Sequence, residues 1–189
     1  MRIAMLTNNY KPFVGGVPIS IERLSNELRN LGHEVYIFAP SYGNDEKEPY
    51  VIRYRSRKKK LKGTITVPDI LDYTIEEKFS DLSFDVIHVH HPMLIGYVAQ
   101  YLKIKYGIPI VFTYHTRYEQ YLHYIKPYEV VQQHSNRVNN PIIRLFEKKV
   151  ICRSMENLVT LHNRIFTNHC DLVFVPSYSM KNYLKEQGT

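Results

Sequence analysis

Long hydrophobic runs are missing from this 189-residue chain. No stretch approaches the roughly eighteen consecutive apolar residues that a bilayer-crossing helix needs, so nothing is expected to span a membrane. The N-terminus has no secretory-leader pattern, because Arg2 leads straight into a strand-like run. Cysteine is scarce. Cys152 and Cys170 form neither a metal nor a redox motif, and two cysteines build no disulfide framework, so a reducing cytoplasm is the expected compartment. There is no G-x-G-x-x-G, no acid closing the second strand, which ends Phe38-Ala39-Pro40, and no Gly-Lys-Ser/Thr. Those absences exclude the dinucleotide fingerprint and the Walker phosphate loop. No nucleophile elbow is present, and no Ser-His-Asp or Cys-His set has local support.

Charge is unevenly placed. The chain carries 25 Lys+Arg against 18 Asp+Glu, a net charge of +7. Residues 53–62, RYRSRKKKLK, read as a loop holding Arg53, Arg55, Arg57, Lys58, Lys59, Lys60 and Lys62 without an acid; elsewhere basic and acidic residues balance at 18 each. General nucleic-acid binders spread basicity over a face, so nucleic acid is not expected as a partner. A single polybasic loop is either a solvated surface or a contact for anionic membrane, worth about 1 kcal/mol per Lys or Arg. For the membrane reading the candidates are Arg57, Lys58, Lys59, Lys60 and Lys62.

The chain alternates strand and helix patterns. Residues 2–7 read as a strand, and Asn8 to Gly15 as a loop. Val17, Ile21, Leu24, Leu28 and Leu31 repeat at 4-3-4-3 spacing, one face of a helix with Pro18 in its first turn and Gly32 at its stop. Strands are expected at 34–39, at 51–55 as an edge, and at 84–90, 108–114 and 171–176. Helices are expected at 69–82, 93–105, 141–168 from Asn140-Pro141, and 180–187 capped by Ser177. Residues 116–140 are rich in Tyr, His, Gln and Asn and receive no assignment. The alternation predicts one α/β domain, residues 1–189, around a parallel sheet of strand order 3-2-1-4-5-6. Ligands bind such sheets at the strand carboxyl ends, where the order reverses.

Polar residues collect at those ends. Thr7-Asn8-Asn9-Tyr10 closes the first strand, His88, His90 and His91 the fourth, and His115-Thr116-Arg117 the fifth. Gly15-Gly16 opens the first helix, where free N–H groups and the helix dipole attract phosphate; the alternative is a turn whose glycines supply positive φ. His88 and His90 share a strand face and are candidate zinc ligands, but no third ligand stands at short spacing, so hydrogen bonding in a cleft is preferred and no metal site is expected. His115 or Glu119 is placed to act as a general base. The tyrosines of HTRYEQYLHYI suit a sugar ring, a lipid headgroup or plain packing.

Here a family resemblance enters. MRIAMLT with GGVPISIERLSNELRNLGHEVYIFAP, then FDVIHVHHP and GIPIVFTYHT, then CDLVFVPSYSMKNYLKEQG, together resemble the N-terminal domain of family 4 glycosyltransferases of the retaining GT-B type. HTRYEQYLHYI is most similar to the H-T-x-Y-x-x-Y-x-H-Y pattern of diacylglycerol glucosyltransferases. The resemblance implies a Rossmann-like three-layer sandwich, the acceptor-side half of a GT-B fold. It implies a Gly15-Gly16-Val17 loop near the donor phosphates and acceptor. His115 would be the catalytic contact to the transferred sugar, helping to stabilise an oxocarbenium-like transition state. Asn9, Tyr10, His90, Thr116, Arg117, Tyr118, Glu119 and Tyr121 are expected to line the cleft. The donor would be a nucleotide sugar, UDP-glucose foremost, the acceptor a membrane-lipid hydroxyl, and no metal or other cofactor would be needed. Attachment would be peripheral, at the inner face of the cell membrane. The nucleotide-sugar domain of such enzymes is expected outside residues 1–189, leaving these residues inactive alone. A soluble sugar or inositol-lipid acceptor, and a non-catalytic ligand- or protein-binding module, are the alternatives. Reversing charge at Lys58, Lys59 and Lys60 is expected to weaken binding to anionic vesicles and leave neutral vesicles unaffected; equal loss on both counts against membrane contact.

Overall fold

A computed structural model describes all residues except 44, 46, 62–64, 70–71, 120–121 and 123–125. Its centre is a six-stranded, all-parallel sheet of β1 (Arg2–Leu6), β2 (Glu34–Pro40), β3 (Val51–Tyr54), β6 (Val86–Val89), β7 (Ile110–Thr113) and β8 (Leu172–Phe174), in the order β3-β2-β1-β6-β7-β8. That is the expected order. Along β1, Ile3 and Met5 point to one face and Ala4 and Leu6 to the other, each set in its own core cluster. Strands buried on both faces read as continuous apolar runs, which is why these segments stand out in the sequence.

Helix α1 (Gly16–Asn30) covers one face, packing Ile21, Val17, Leu24 and Leu28 over β1 and β2. Leu31, expected on that face, is exposed, because the helix ends at Asn30 and Gly32 turns the chain away with φ 85°. The other face is covered by α2 (Thr74–Leu82), α3 (Ile95–Tyr106), Phe166 from α6 (Arg153–Asn168) and Leu184 from α7 (Tyr178–Glu186). Phe38, Phe79 and Phe84 pack ring to ring there, with centroids 4.6–5.7 Å apart. Ser177 caps α7, its side chain accepting from the Met180 N–H at 3.2 Å. Asn140 caps α5 (Pro141–Phe146), which continues through a π-helical stretch, Glu147–Cys152, into α6.

Three expectations are corrected. The basic segment is not a loop: Ser56–Leu61 is strand β4, paired antiparallel with β5 (Ile65–Pro68) in a separate two-stranded sheet. Only the backbone of Arg57, Lys58, Lys59 and Lys60 is described, and Lys62 lies outside the described residues. Arg53 leaves the basic set altogether, since it is paired with Glu48 at 3.0 Å and lies over the Tyr10 ring. Helix α2 begins at Thr74, later than Asp69, with Ile70 and Leu71 outside the described residues. The unassigned stretch contains α4 (Lys126–Arg137), tied to the π-helical stretch by Leu122, Tyr128 and Cys152.

Gly96, in the first turn of α3, sits where the helix meets the sheet edge. A Cβ there lies 2.9 Å from the His91 carbonyl oxygen and 2.9 Å from Phe166. Gly96→Ala is expected to lower stability by about 1–3 kcal/mol, the usual cost of overpacking, measured by urea unfolding; an unchanged midpoint contradicts this packing.

Candidate functional site

Strand order reverses between β1 and β6, so the loops after these neighbours diverge and leave a crevice at their carboxyl ends. The crevice walls are fastened together by Asn8. Its Nδ2 donates to the Met93 carbonyl at 2.9 Å, and its Oδ1 accepts from the Ile95 N–H at 3.2 Å. Leu94, before α3, has φ 58° and no capping side chain. Asn8 therefore caps that helix from the loop after β1. Beside it, His91 Nδ1 accepts from the Asn8 N–H at 3.2 Å, Thr7 Oγ1 donates to the Asn9 carbonyl at 2.8 Å, and the Tyr54 hydroxyl donates to the Thr7 carbonyl at 2.7 Å.

The histidines form a stack. His88 and His90 rings are 4.3 Å apart and nearly parallel, and His90 and His115 rings are 5.2 Å apart. His88 Nε2 meets Thr113 Oγ1 at 2.7 Å, and His90 Nδ1 meets His115 Nε2 at 2.9 Å. Burial pushes the ring of His88 down to about 4, His115 to about 4 and His91 to about 3; His90 is held well below the usual range by burial and by its neighbours His88, His115 and His91. All four are neutral at physiological pH. His90 Nε2 and Asn9 Oδ1 are buried without a hydrogen-bond partner among the described residues. Buried polar atoms ordinarily have partners, so these two leave unmet hydrogen-bonding capacity at the sheet edge.

The segment after β7 is braced separately. Arg117 pairs with Glu119 at 2.8 Å and stacks over Tyr183, 4.0 Å from its centroid, while the Tyr183 hydroxyl donates to the same Glu119 oxygen at 2.8 Å. Glu119 Oε1 is thereby engaged while its Oε2 is buried without a hydrogen-bond partner among the described residues, and the His115 ring, held near 4 by burial, is a weak base at neutral pH. The cluster is suited to hydrogen bonding and positioning more than to proton abstraction. Tyr118 reaches the His90 carbonyl at 3.5 Å, and Thr116 is half-buried between these groups in sequence.

Sequence reasoning had placed Tyr10 in the cleft. It is 2 % exposed and packs with Ile21 and Val35 in the core under α1. Tyr121 lies outside the described residues. Gly15 adopts φ −175°, plain extended backbone, so positive φ is not its purpose. A Cβ on Gly15 touches Phe13 at 3.0 Å, whereas one on Gly16 meets nothing within 4 Å. No side chain caps α1 among the described residues, so its first-turn N–H groups keep their capacity for an anion. Tyr183 carries no sequence signal as a site residue, and Asn8 and His91, though placed among the polar strand ends, carry none for the contacts they make. Their partners lie 85, 83 and 64 positions away, and no local spacing signals such contacts.

A cavity of about 460 Å³ lies elsewhere, between α2 and α3, lined by Ile75, Tyr73, Tyr97, Tyr101 and Leu102. Its acids are already engaged, Glu76 by Lys105 and Asp72 by Thr74. With no unpartnered polar side chain converging on it among the described residues, it is outweighed by the unsatisfied atoms at the sheet edge.

Residues 14–189 match the profile described as Glycosyltransferase Family 4. The chain is 36% identical to an alpha-monoglucosyldiacylglycerol synthase of Acholeplasma laidlawii, over 66% of this chain and 32% of that protein. It is 31% identical to the protein of the same name from Streptococcus pneumoniae, over 66% of this chain and 29% of that one. A phosphatidyl-myo-inositol mannosyltransferase of Mycolicibacterium smegmatis is 30% identical over 61% of this chain and 31% of its own length. The chain thus spans about a third of the length of the curated relatives it matches.

The buried histidines make stability depend on pH. In the unfolded chain histidine titrates near 6.5, while His88 and His115 do so near 4 and His91 near 3 when folded. Between those values the unfolded chain binds more protons, so stability falls as pH drops from about 6.5 toward 4 and gains nothing from these groups above 6.5. Urea midpoints measured across pH 4–8 are expected to show that fall, with the ring resonances of these three histidines unmoved between pH 5.5 and 8; titration of any of them near 6.5 contradicts the burial.

Proposed function

The chain belongs to glycosyltransferase family 4, and on that premise we propose that it supplies the acceptor-side wall of an active site moving a hexose, glucose foremost, from a nucleotide sugar to a membrane-lipid hydroxyl with retained configuration. The observation that carries this reading is the pair of unsatisfied buried atoms, Asn9 Oδ1 and His90 Nε2, at the crevice where the uncapped α1 terminus also lies. The donor is UDP-glucose, its diphosphate lying against the N–H groups of Gly16 and Val17. The relatives' names support glucose and diacylglycerol.

In this mechanism His115 contacts the transferred sugar. Positive charge develops at the anomeric carbon as the bond to the leaving phosphate breaks, and a protonated imidazole would oppose it. Burial keeps His115 neutral, and its contact with His90 Nδ1 fixes the ring, so it presents a dipole and no repelling charge. The acceptor hydroxyl attacks the same face, and its proton passes to the departing phosphate oxygen, so no protein base is required. This suits a site where Glu119 is engaged by Arg117 and Tyr183. No metal or other cofactor is assigned a part. The enzyme attaches peripherally to the inner face of the cell membrane, with the basic strand β4 contributing to anionic lipid contact and nucleic acid no partner. No helix among the described residues is long and apolar enough to cross a bilayer.

An inositol-lipid acceptor is the second reading, favoured by the phosphatidyl-myo-inositol mannosyltransferase among the relatives. The test is transfer from radiolabelled UDP-glucose, using protein expressed from the complete open reading frame, with diacylglycerol, phosphatidylinositol and soluble sugars as acceptors. Label is expected in the diacylglycerol product, and His115→Ala is expected to cut kcat by about 10²–10³-fold with the urea midpoint near that of the parent. Label on soluble sugars alone, or unimpaired turnover by His115→Ala, overturns the assignment.

A further inference from the structure

Apolar side chains are concentrated on the outside of one helix. Every residue of α5 is exposed, among them Ile142 at 76 %, Ile143, Leu145 and Phe146 at 57 %, and Val150 follows in the π-helical stretch. These residues make up most of an apolar ridge, which folding leaves uncovered although a core lies beneath. The ridge is held out on a scaffold: Asn140 caps its start, Ser135 of α4 donates to the Arg144 carbonyl at 3.3 Å, and Leu122, Tyr128 and Cys152 anchor the base. An exposed patch of this kind marks a contact surface.

The charges around it choose the partner. Arg137, Arg144, Lys149 and Arg153 are exposed on or beside the ridge, and no ion pair is recorded for them among the described residues. The nearby acids are turned inward: Glu147 is engaged by His134 at 2.7 Å, and Glu156 accepts from Tyr128 at 2.9 Å. An apolar strip flanked by free cations, with its acids withdrawn, complements an apolar layer under anionic headgroups.

We propose that the α5 ridge, Ile142 to Val150, docks on an anionic lipid bilayer, with Ile142, Leu145 and Phe146 entering the acyl boundary and Arg144 and Lys149 at the phosphates. This is a surface distinct from strand β4. It deepens the proposed function by naming the face that meets the membrane, and rests on that reading only for the lipid acceptor, since bilayer contact requires no transfer.

The chain contains no tryptophan, so Phe146→Trp installs a single reporter at the ridge. With vesicles of phosphatidylglycerol and phosphatidylcholine its emission is expected to shift to shorter wavelength and to be quenched by bromine-labelled acyl chains. Pure phosphatidylcholine is expected to give a much smaller response. Leu145→Ser and Phe146→Ser are each expected to weaken vesicle partitioning roughly tenfold, the loss of one buried apolar side chain. Arg144→Glu with Lys149→Glu is expected to abolish the preference for anionic lipid. Because these side chains are exposed, circular dichroism is expected to be unchanged in all four. A blue shift that grows with protein concentration without lipid identifies a second copy as the occupant and overturns the proposal, as does unaltered emission with vesicles. Binding that is the same with and without diacylglycerol upholds the ridge even where transfer to diacylglycerol fails, so the two readings fail separately.

Discussion

The side-chain amide of Asn8 is the contact on which the site depends. A parallel sheet with right-handed crossovers sends every loop from the strand carboxyl ends to one edge, and at the β1–β6 reversal the backbone bond from the His90 N–H to the Leu6 carbonyl at 3.0 Å leaves the loops beyond it to be tied by side chains. Asn8 does so by bonding Met93 and Ile95 with both ends of one amide. The same contact satisfies the start of α3, where Leu94 has an unfavourable left-handed φ. It also sets His91 against Thr7 and Asn8, which places the histidine stack of β6 and β7 directly beside the β1 loop.

Burial then determines the chemistry of that stack. Four imidazoles near one another in water would share protons near neutral pH. Packed as rings between strands, they are held uncharged by desolvation and by each other. A neutral, oriented ring suits a transition state that gains positive charge. Arg117 and Tyr183 brace one oxygen of Glu119, Oε1, while Oε2 is buried without a partner among the described residues.

Much of the fold was legible because its strands are buried on both faces. Residues 3–6 and 110–112 are unbroken apolar runs and 86–89 is interrupted only by His88, and these strands pair parallel as β1–β6–β7. The β4–β5 hairpin was hidden because Arg57 to Lys60 carry no alternation of apolar and polar residues; lysines on such a strand also discourage edge pairing with other chains. Helix α4 was hidden because Gln, His and Asn blur the face that Tyr128 and Ser135 bury. The sequence signal for His90, His115, Thr116, Arg117, Tyr118 and Glu119 was their place after strands β6 and β7. Tyr10 was misplaced because a residue at a strand end can point either way, and its inward turn is decided by packing against Ile21, which no local pattern encodes.

The central claim is that ligand binds at the strand carboxyl ends, between the α1 terminus and the His90–His115 pair, in preference to the cavity between α2 and α3. Amide chemical-shift mapping of the 22.4 kDa chain during titration with UDP-glucose tests this most directly. The account predicts that the largest shifts fall on Gly15, Gly16, Val17, Asn9, His90 and His115. Shifts centred on Tyr73, Tyr97 and Tyr101, with the histidine edge unmoved, would contradict it.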